Sequence, residues 1–167
     1  QNPSYTYTYT GNGPYSFSAK LKAQNSFGCR DSVTNTVQLY TNPTPSFVPT
    51  DACLNQPNLF PSSTSSLGTG SIPSYSWNFA ALGNSIVPNP SFVFPNAGTY
   101  TVQLTITDEL GCSGKYSTSV TVNPLPIVSF TSNEACFKSV SQFVNLSSGT
   151  ITSFVWNFGD PGSGAAN

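Results

Sequence analysis

The sequence predicts an all-β chain of tandem β-sandwich modules in an elongated array. Three observations carry that expectation. First, short motifs return at a fixed spacing: Gly28-Cys29 and Gly111-Cys112 lie 83 positions apart, as do Cys53 and Cys136, and Phe47 and Phe130. The triplet Trp77-Asn78-Phe79 returns as Trp156-Asn157-Phe158 after 79 positions. A period this long marks repeated copies of one domain rather than a single globule. Second, Tyr100, Val102, Leu104 and Ile106 alternate strictly with polar residues, the period of a half-buried strand. Third, no stretch has convincing helical periodicity.

The elements follow in order. In residues 1–45, the C-terminal part of a first copy, Phe17, Ala19, Leu21 and Ala23 alternate. A turn at Phe27-Gly28-Cys29 follows, and Val33 to Leu39 returns as the second arm of a hairpin. Residues 46–126 are a complete copy, with strands expected near Phe47, Leu59, Tyr75, Phe92, Thr99 and Tyr116 and a short one near Ile86. Asp108 to Gly111 is the turn of its last hairpin. About seven strands in roughly 80 residues, with a core Trp in the third, point to an immunoglobulin-like sandwich. Residues 127–167 open the next copy. Pro43 with Pro45, and Pro124 with Pro126, mark the junctions as stiff spacers that resist strand slippage. Each pair is followed by an expected apolar strand, residues 46–48 and 127–130.

The copies differ where loops are expected. Phe60 and Phe143 keep the offset of 83, whereas Trp77 and Trp156 do not, so the complete copy has four more residues, assigned to the Ser-rich stretch Ser62 to Ser71. Asn2, Pro3, Tyr5 and Tyr7 match Asn89, Pro90, Phe92 and Phe94 at an offset of 87, which places a four-residue insertion near Thr10 to Gly13. That match makes Tyr5 and Tyr7 core-facing rather than sugar-stacking. Tyr9 and residues 10–13 are the better exposed candidates.

Composition narrows the function. Only 7% of the 167 residues are charged, against about 25% in an average domain. Such a surface is wetted by hydroxyls and amides and suits an exposed extracellular protein. The net charge of −1 and pI of 4.9 leave no basic patch for nucleic acid. No apolar run approaches the roughly 18 residues of a bilayer span, so no membrane contact is expected within the segment. Histidine is absent, which removes Ser-His-Asp and Cys-His catalysis. The six carboxylates, Asp31, Asp51, Asp108, Glu109, Glu134 and Asp160, do not suggest the facing pair that acid-base hydrolysis needs. The expectation is a non-enzyme without a cofactor. The chain opens and closes inside repeats and is read as a segment of something larger.

Trp156-Asn157-Phe158-Gly159-Asp160 resembles the tryptophan-aromatic-glycine-aspartate motif of PKD (polycystic kidney disease) domains. Asn89-Pro90, Phe92, Phe94 and Gly98 to Leu104 resemble the second motif of that family. The Gly-Cys at 111–112, with Cys53 and Cys136, is similar to a narrower group, the large repetitive cell-surface proteins of Bacteroidota, including gliding-motility adhesins of the SprB type. The complete copy departs at Ala80-Ala81, where the family has Gly-Asp. The resemblance implies a seven-stranded sandwich, an extracellular location on the surface of a Gram-negative cell, and a non-catalytic role. Asp31-Ser32-Val33 also resembles the short O-glycosylation motif of Bacteroidota, with Ser32 as acceptor, whereas the sequon at Asn145 is read as incidental.

Two site questions remain open on the residues. Asp108 and Glu109, together with a neighbouring turn, are the calcium candidates, since hard cations want six or more oxygens; as turn acids they are expected to point apart into water. Cys29, Cys53, Cys112 and Cys136 are spaced by 24, 59 and 24, without the close pairs of a zinc site. Extracellular disulfides are the default. Cys53 and Cys112 are expected at opposite ends of the sandwich, roughly 25–30 Å apart, beyond the reach of a disulfide. This favours a bond between each first-loop cysteine and the hairpin cysteine of the following module, with an intradomain bond and free thiols as alternatives.

The function expected is that of a rod-like spacer and multivalent weak binder in a giant secreted adhesin or filament, in cell adhesion or gliding motility. Its partners would be neighbouring repeats, surface polysaccharide or other surface proteins. The alternatives are an accessory module of a secreted polysaccharide- or protein-degrading enzyme, and a self-assembling sheath.

Overall fold

The computed structural model describes residues 2–8, 14–62, 64–66 and 74–159. The loop residues Tyr9 to Gly13, most of the inserted Ser-rich stretch and Asp160 lie outside the described residues. Among those described there are eleven strands and no helix: β1 (Tyr15–Gln24), β2 (Arg30–Leu39), β3 (Ala52–Cys53), β4 (Asn58–Leu59), β5 (Ser74–Phe79), β6 (Asn84–Ser85), β7 (Ser91–Phe92), β8 (Gly98–Thr107), β9 (Ser113–Asn123), β10 (Phe130–Ser132) and β11 (Phe143–Asn145).

The central module, β3 to β9, is a sandwich. A five-stranded sheet in the order β3-β9-β8-β5-β6 faces the pair β4-β7. All pairings are antiparallel except β3 with β9. The alternation read from β8 sets its inner face: Val102, Leu104 and Ile106 are fully buried and Tyr100 packs at the margin. From β9 come Val120 and Val122, from β5 Trp77 and Phe79, and from the opposite side Phe47, Phe60 and Phe94. Each buried aliphatic contributes about 1.5–3 kcal/mol. Trp77 is the third-strand tryptophan that was expected, and its Nε1–H donates to the Val87 carbonyl (3.0 Å).

One expected strand is absent. Residues 46–48 form no regular ladder. The two flanking prolines restrict the segment, and Ser46 instead bonds a side chain: its N–H donates to Ser65 Oγ (2.9 Å), which donates back to the Ser46 carbonyl (2.9 Å). Phe47 still reaches the core. The first strand begins later, at Ala52, in parallel with the end of β9. Similarly, Ile127 makes only an isolated bridge to Ser148, and β10 starts at Phe130.

The flanking segments repeat the local geometry of the centre. In β1-β2, Tyr15 pairs with Leu39 and Gln24 with Arg30; adding 83 gives Gly98 with Val122 and Thr107 with Ser113, the limits of the β8-β9 ladder. Phe130, Phe143, Trp156 and Phe158 form a ring cluster whose members correspond to Phe47, Phe60, Trp77 and Phe79. Tyr5, Tyr7 and Phe17 form a chain of contacts that matches Phe92, Phe94 and Tyr100. Tyr7 is half-buried, whereas Tyr5, expected to face the core, is 79% exposed.

The β5-β6 turn explains how the chain tolerates Ala80-Ala81. Both alanines adopt left-handed backbone, φ 52° and 62°. Asn78 Oδ1 accepts the Ala81 N–H (2.9 Å), and the Phe79 carbonyl accepts the Leu82 N–H (2.9 Å). Gly159 occupies the same place after Trp156 with φ 70°. The turn is retained without the glycine, at a cost of about 1–2 kcal/mol for each L-residue held there. Ala80→Gly is therefore expected to stabilise the module by about 0.5–1 kcal/mol after the entropy of glycine is deducted. A rise in the midpoint of thermal unfolding checks this, and an unchanged or lower midpoint contradicts it.

Candidate functional site

The best-built site on the described residues is the junction where the first segment enters the central module. Pro43 and Pro45 are buried. Between them Thr44 exchanges two hydrogen bonds with Ser66 (2.8 and 2.9 Å). On the other side lies Gly114, at the start of β9: a Cβ there would collide with the Pro43 carbonyl oxygen and sit 2.8 Å from Pro45 Cδ. The Phe47 ring meets Tyr116 edge-on at 5.4 Å. The proline segment is thus clamped between the Ser-rich loop and the last hairpin, not free as a linker. The next junction repeats the serine side of the clamp: Ile127 exchanges bonds with Ser148 (2.9 Å each), and Ser129 exchanges bonds with Ser147 (3.1 and 3.2 Å). This register aligns Pro43 with Pro126, so the two proline pairs stand two residues out of step.

The hairpin end at this junction is closed by Asp108. Its Oδ1 accepts the N–H groups of Leu110 (3.0 Å) and Cys112 (2.8 Å), while Gly111, at φ 84°, supplies the left-handed residue. The expectation that both acids point into water holds for Glu109, which is exposed, but not for Asp108, which is only 7% exposed. The turn needs the carboxylate as an acceptor and folds it inward. Asn25 does the same in the first hairpin, where its Oδ1 accepts from Phe27 (2.9 Å) and Cys29 (3.0 Å) and Gly28 has φ 83°. No group of three or more His, Cys, Asp or Glu gathers among the described residues, and the Asn25 parallel gives Asp108 a structural task. The repeat held a signal for this: an Asn or Asp 83 positions apart, each followed three residues later by Gly.

The cysteines fall at opposite ends. Cys53 pairs with Asn123 at the last residue of β9, whereas Cys112 immediately precedes β9. The eleven residues of β9, at about 3.3 Å each, put about 36 Å between them, more than the roughly 25–30 Å expected from the sequence. No two of the four cysteines are bonded to each other; Cys29, Cys53 and Cys136 are exposed and Cys112 half-buried. Cys53 and Cys136 head equivalent turns, donated to by Gln56 (2.9 Å) and Ser139 (2.8 Å), with Asn55 and Lys138 at positive φ. Ser32 is exposed on β2 opposite Lys22; its N–H donates to Asp31 Oδ1 (2.7 Å).

The profile of the PKD domain family matches residues 40–124. The chain belongs to the PKD domain family. It is 32% identical over 119 residues to Collagenase ColA of Bacillus cereus, a match that covers 68% of this chain and 12% of that protein. Among solved structures, it is similar to the PKD1 domain from Vibrio cholerae metalloprotease PrtV, at 30% identity and a TM-score of 0.46, over 50% of this chain and 99% of that one. It is also similar to the PKD1 domain of Vibrio anguillarum Epp, at 26% identity and a TM-score of 0.48, over 52% of this chain and 100% of that one. The chain spans a small part of the collagenase it matches.

If Asp108 serves the turn rather than a metal, Asp108→Asn keeps Oδ1 and is expected to leave stability unchanged or raised. Asp108→Ala abandons two backbone donors and is expected to cost about 1–3 kcal/mol. Urea unfolding of both variants, with and without millimolar calcium, checks this; calcium-dependent stabilisation of the natural chain would contradict it.

Proposed function

We propose that the chain is a non-catalytic segment of a large secreted surface protein, in which PKD modules in tandem, residues 1–45, 46–126 and 127–167, form a rod-like spacer. Along its length it binds surface polysaccharide or other surface proteins weakly and repeatedly, in cell-surface adhesion or gliding motility. The clamped junction carries this reading. A proline segment bonded to Ser66 and packed against Gly114 fixes how the chain enters the central module, and the recurrence of the serine contact at Ile127 and Ser148 is what a rod of such modules would need. Many weak sites on one such rod give avidity without a strong pocket. The sparsely charged surface keeps these contacts nearly independent of salt.

The similarity to Collagenase ColA favours a second reading, an accessory module of a secreted protein-degrading enzyme. Binding of the chain to immobilised cell-surface glycan and to insoluble collagen, as monomer and as a dense coat on beads, separates the two. The first reading expects retention on glycan that appears only with the coated beads. Retention of the monomer on collagen alone would favour the second. Gly114→Val, which forces Pro43 off β9, is expected to broaden the small-angle scattering distance distribution; an unaltered distribution would contradict the stiff junction.

Within the same reading, each first-loop cysteine, Cys53 and Cys136, bonds the hairpin cysteine of the following module, and the hairpin cysteines Cys29 and Cys112 bond the first-loop cysteine of the preceding one. Such bonds would turn a string of modules into a rod that resists extension. Ser32 is its exposed O-glycosylation candidate. Non-reducing peptide mapping is expected to find no Cys53–Cys112 bond; finding one would refute the inter-module arrangement.

A further inference from the structure

Whole-chain charge hides one local gathering. The net charge is −1, and only five residues are cationic. Three of the five, Lys20, Lys22 and Arg30, lie in the first hairpin, and the register of β1 with β2 puts them on one face. Lys20 pairs with Thr34, Lys22 with Ser32 and Gln24 with Arg30. Paired residues share a face, and same-face rows stand about 7 Å apart. The cations therefore occupy three successive rows, a track about 13 Å long, with Ser32 and Thr34 beside them. All five of these side chains are exposed.

The track is on the outward face. The other face of β1 carries Ala19, Leu21 and Ala23, the equivalents of the buried Val102, Leu104 and Ile106 at the offset of 83. At the same offset, Lys20, Arg30, Ser32 and Thr34 correspond to Gln103, Ser113, Lys115 and Ser117, and all four are exposed in the central module. This face thus stays open to solvent in a complete sandwich. The track is also arranged to receive an anion. Arg30 Nε–H donates to Gln24 Oε1 (3.0 Å), which steadies the guanidinium on the face and leaves its terminal N–H groups for a ligand oxyanion. The neighbouring carboxylate, Asp31, pairs with Ala23 on the other face, and its Oδ1 accepts the Ser32 N–H (2.7 Å). A shallow hollow at the tip is lined by Lys22, Ala23, Gln24, Arg30, Asp31 and Ser32.

We infer that the outer face of β1-β2 is a binding site for acidic polysaccharide. The inference rests on the polysaccharide reading above and narrows it to sugar chains that carry carboxylate or sulfate groups. Lys20, Lys22 and Arg30 take the anionic groups, while the hydroxyls of Ser32 and Thr34 and the amide of Gln24 hydrogen-bond the sugar hydroxyls between them. Nucleic acid fits the face less well. None of its residues is aromatic, so bases have nothing to stack on, and three cations neutralise few phosphates. In the central module Gln103, Thr105 and Ser113 replace the three cations and Lys115 is the one charge on that face. The site therefore belongs to the first copy, and copies of one scaffold differ in what they hold. Unlike contacts elsewhere on this sparsely charged surface, this one weakens with salt.

The test presents beads densely coated with the 167-residue chain to surfaces of dextran, carboxymethyl-dextran and dextran sulfate, which share one sugar backbone. Retention is expected on the charged surfaces at about 0.01 M salt and its loss by about 1 M, as the screening length falls from about 30 Å to about 3 Å. The two charged arms show which anion is preferred. Replacing all three cations, Lys20→Gln with Lys22→Gln and Arg30→Gln, is expected to lower retention at least about tenfold. A second variant, Gln103→Lys with Thr105→Lys and Ser113→Arg, copies the track onto the complete central module and is expected to raise retention. Retention that is equal on plain dextran, indifferent to salt or unmoved by the triple Gln variant overturns the site and leaves the polysaccharide reading standing, as does retention on cell-surface glycan without any on the charged dextrans. No retention on any glycan overturns both. Surfaces of polyglutamate or single-stranded DNA that hold the beads as well as the charged dextrans overturn the sugar assignment, and a copied track that gains nothing overturns the geometry.

Discussion

Everything in the central module depends on the placement of Trp77. Its ring lies between the two sheets, against Phe47 at 4.8 Å and Phe60 at 5.9 Å, and no part of it reaches solvent. A buried indole needs a partner for its N–H, and the Val87 carbonyl supplies one, which holds the chain beyond β6 against the sandwich. On the sheet, Trp77 stands opposite Leu104. A slip of one residue there would turn the buried face of β5 outward, so ring packing and ladder register enforce each other.

With few charges available, the chain closes its turns with side-chain oxygens. Asn25, Asn78, Asp108, Asn145 and Asn157 each accept a backbone N–H within four residues. Asn89 does this at long range, accepting the Ser62 N–H at 2.9 Å. Short polar side chains mimic a turn of backbone, and the asparagines among them do so without depending on pH or salt as ion pairs do. The abundance of Asn, Ser and Thr is thus part of how the fold is held, as well as how its surface is wetted.

Much of this was legible in the sequence because strands report themselves through period two. Val102, Leu104 and Ile106 follow from alternation alone, and Trp77 from its place in the third strand of the sandwich. What was not legible depends on contacts between distant segments. Phe47 reads as part of a strand because apolar residues flank a proline, yet the ladder it would need is replaced by the side-chain bonds of Ser65. Asp108 reads as a solvated acid because its sequence neighbours are polar; only the turn geometry shows that its oxygen faces inward. The clamp at Gly114 is silent in sequence, since a glycine in a strand names no partner.

The loop insertion shows which of these contacts is kept when the loop changes length. Phe60 and Phe143 differ by 83, Ser65 and Ser147 by 82, Ser66 and Ser148 by 82, and Trp77 and Trp156 by 79. One extra residue therefore lies between Phe60 and Ser65, and three lie between Ser66 and Trp77. The insertion is split around the two serines that clamp the entering segment. Loop length is cheap to change on a fixed scaffold, so the stretch could have drifted as a block. Instead both serines keep their bonds to Ser46 and Thr44, as their counterparts do to Ser129 and Ile127. Variation stops where it would loosen one module from the segment that enters it.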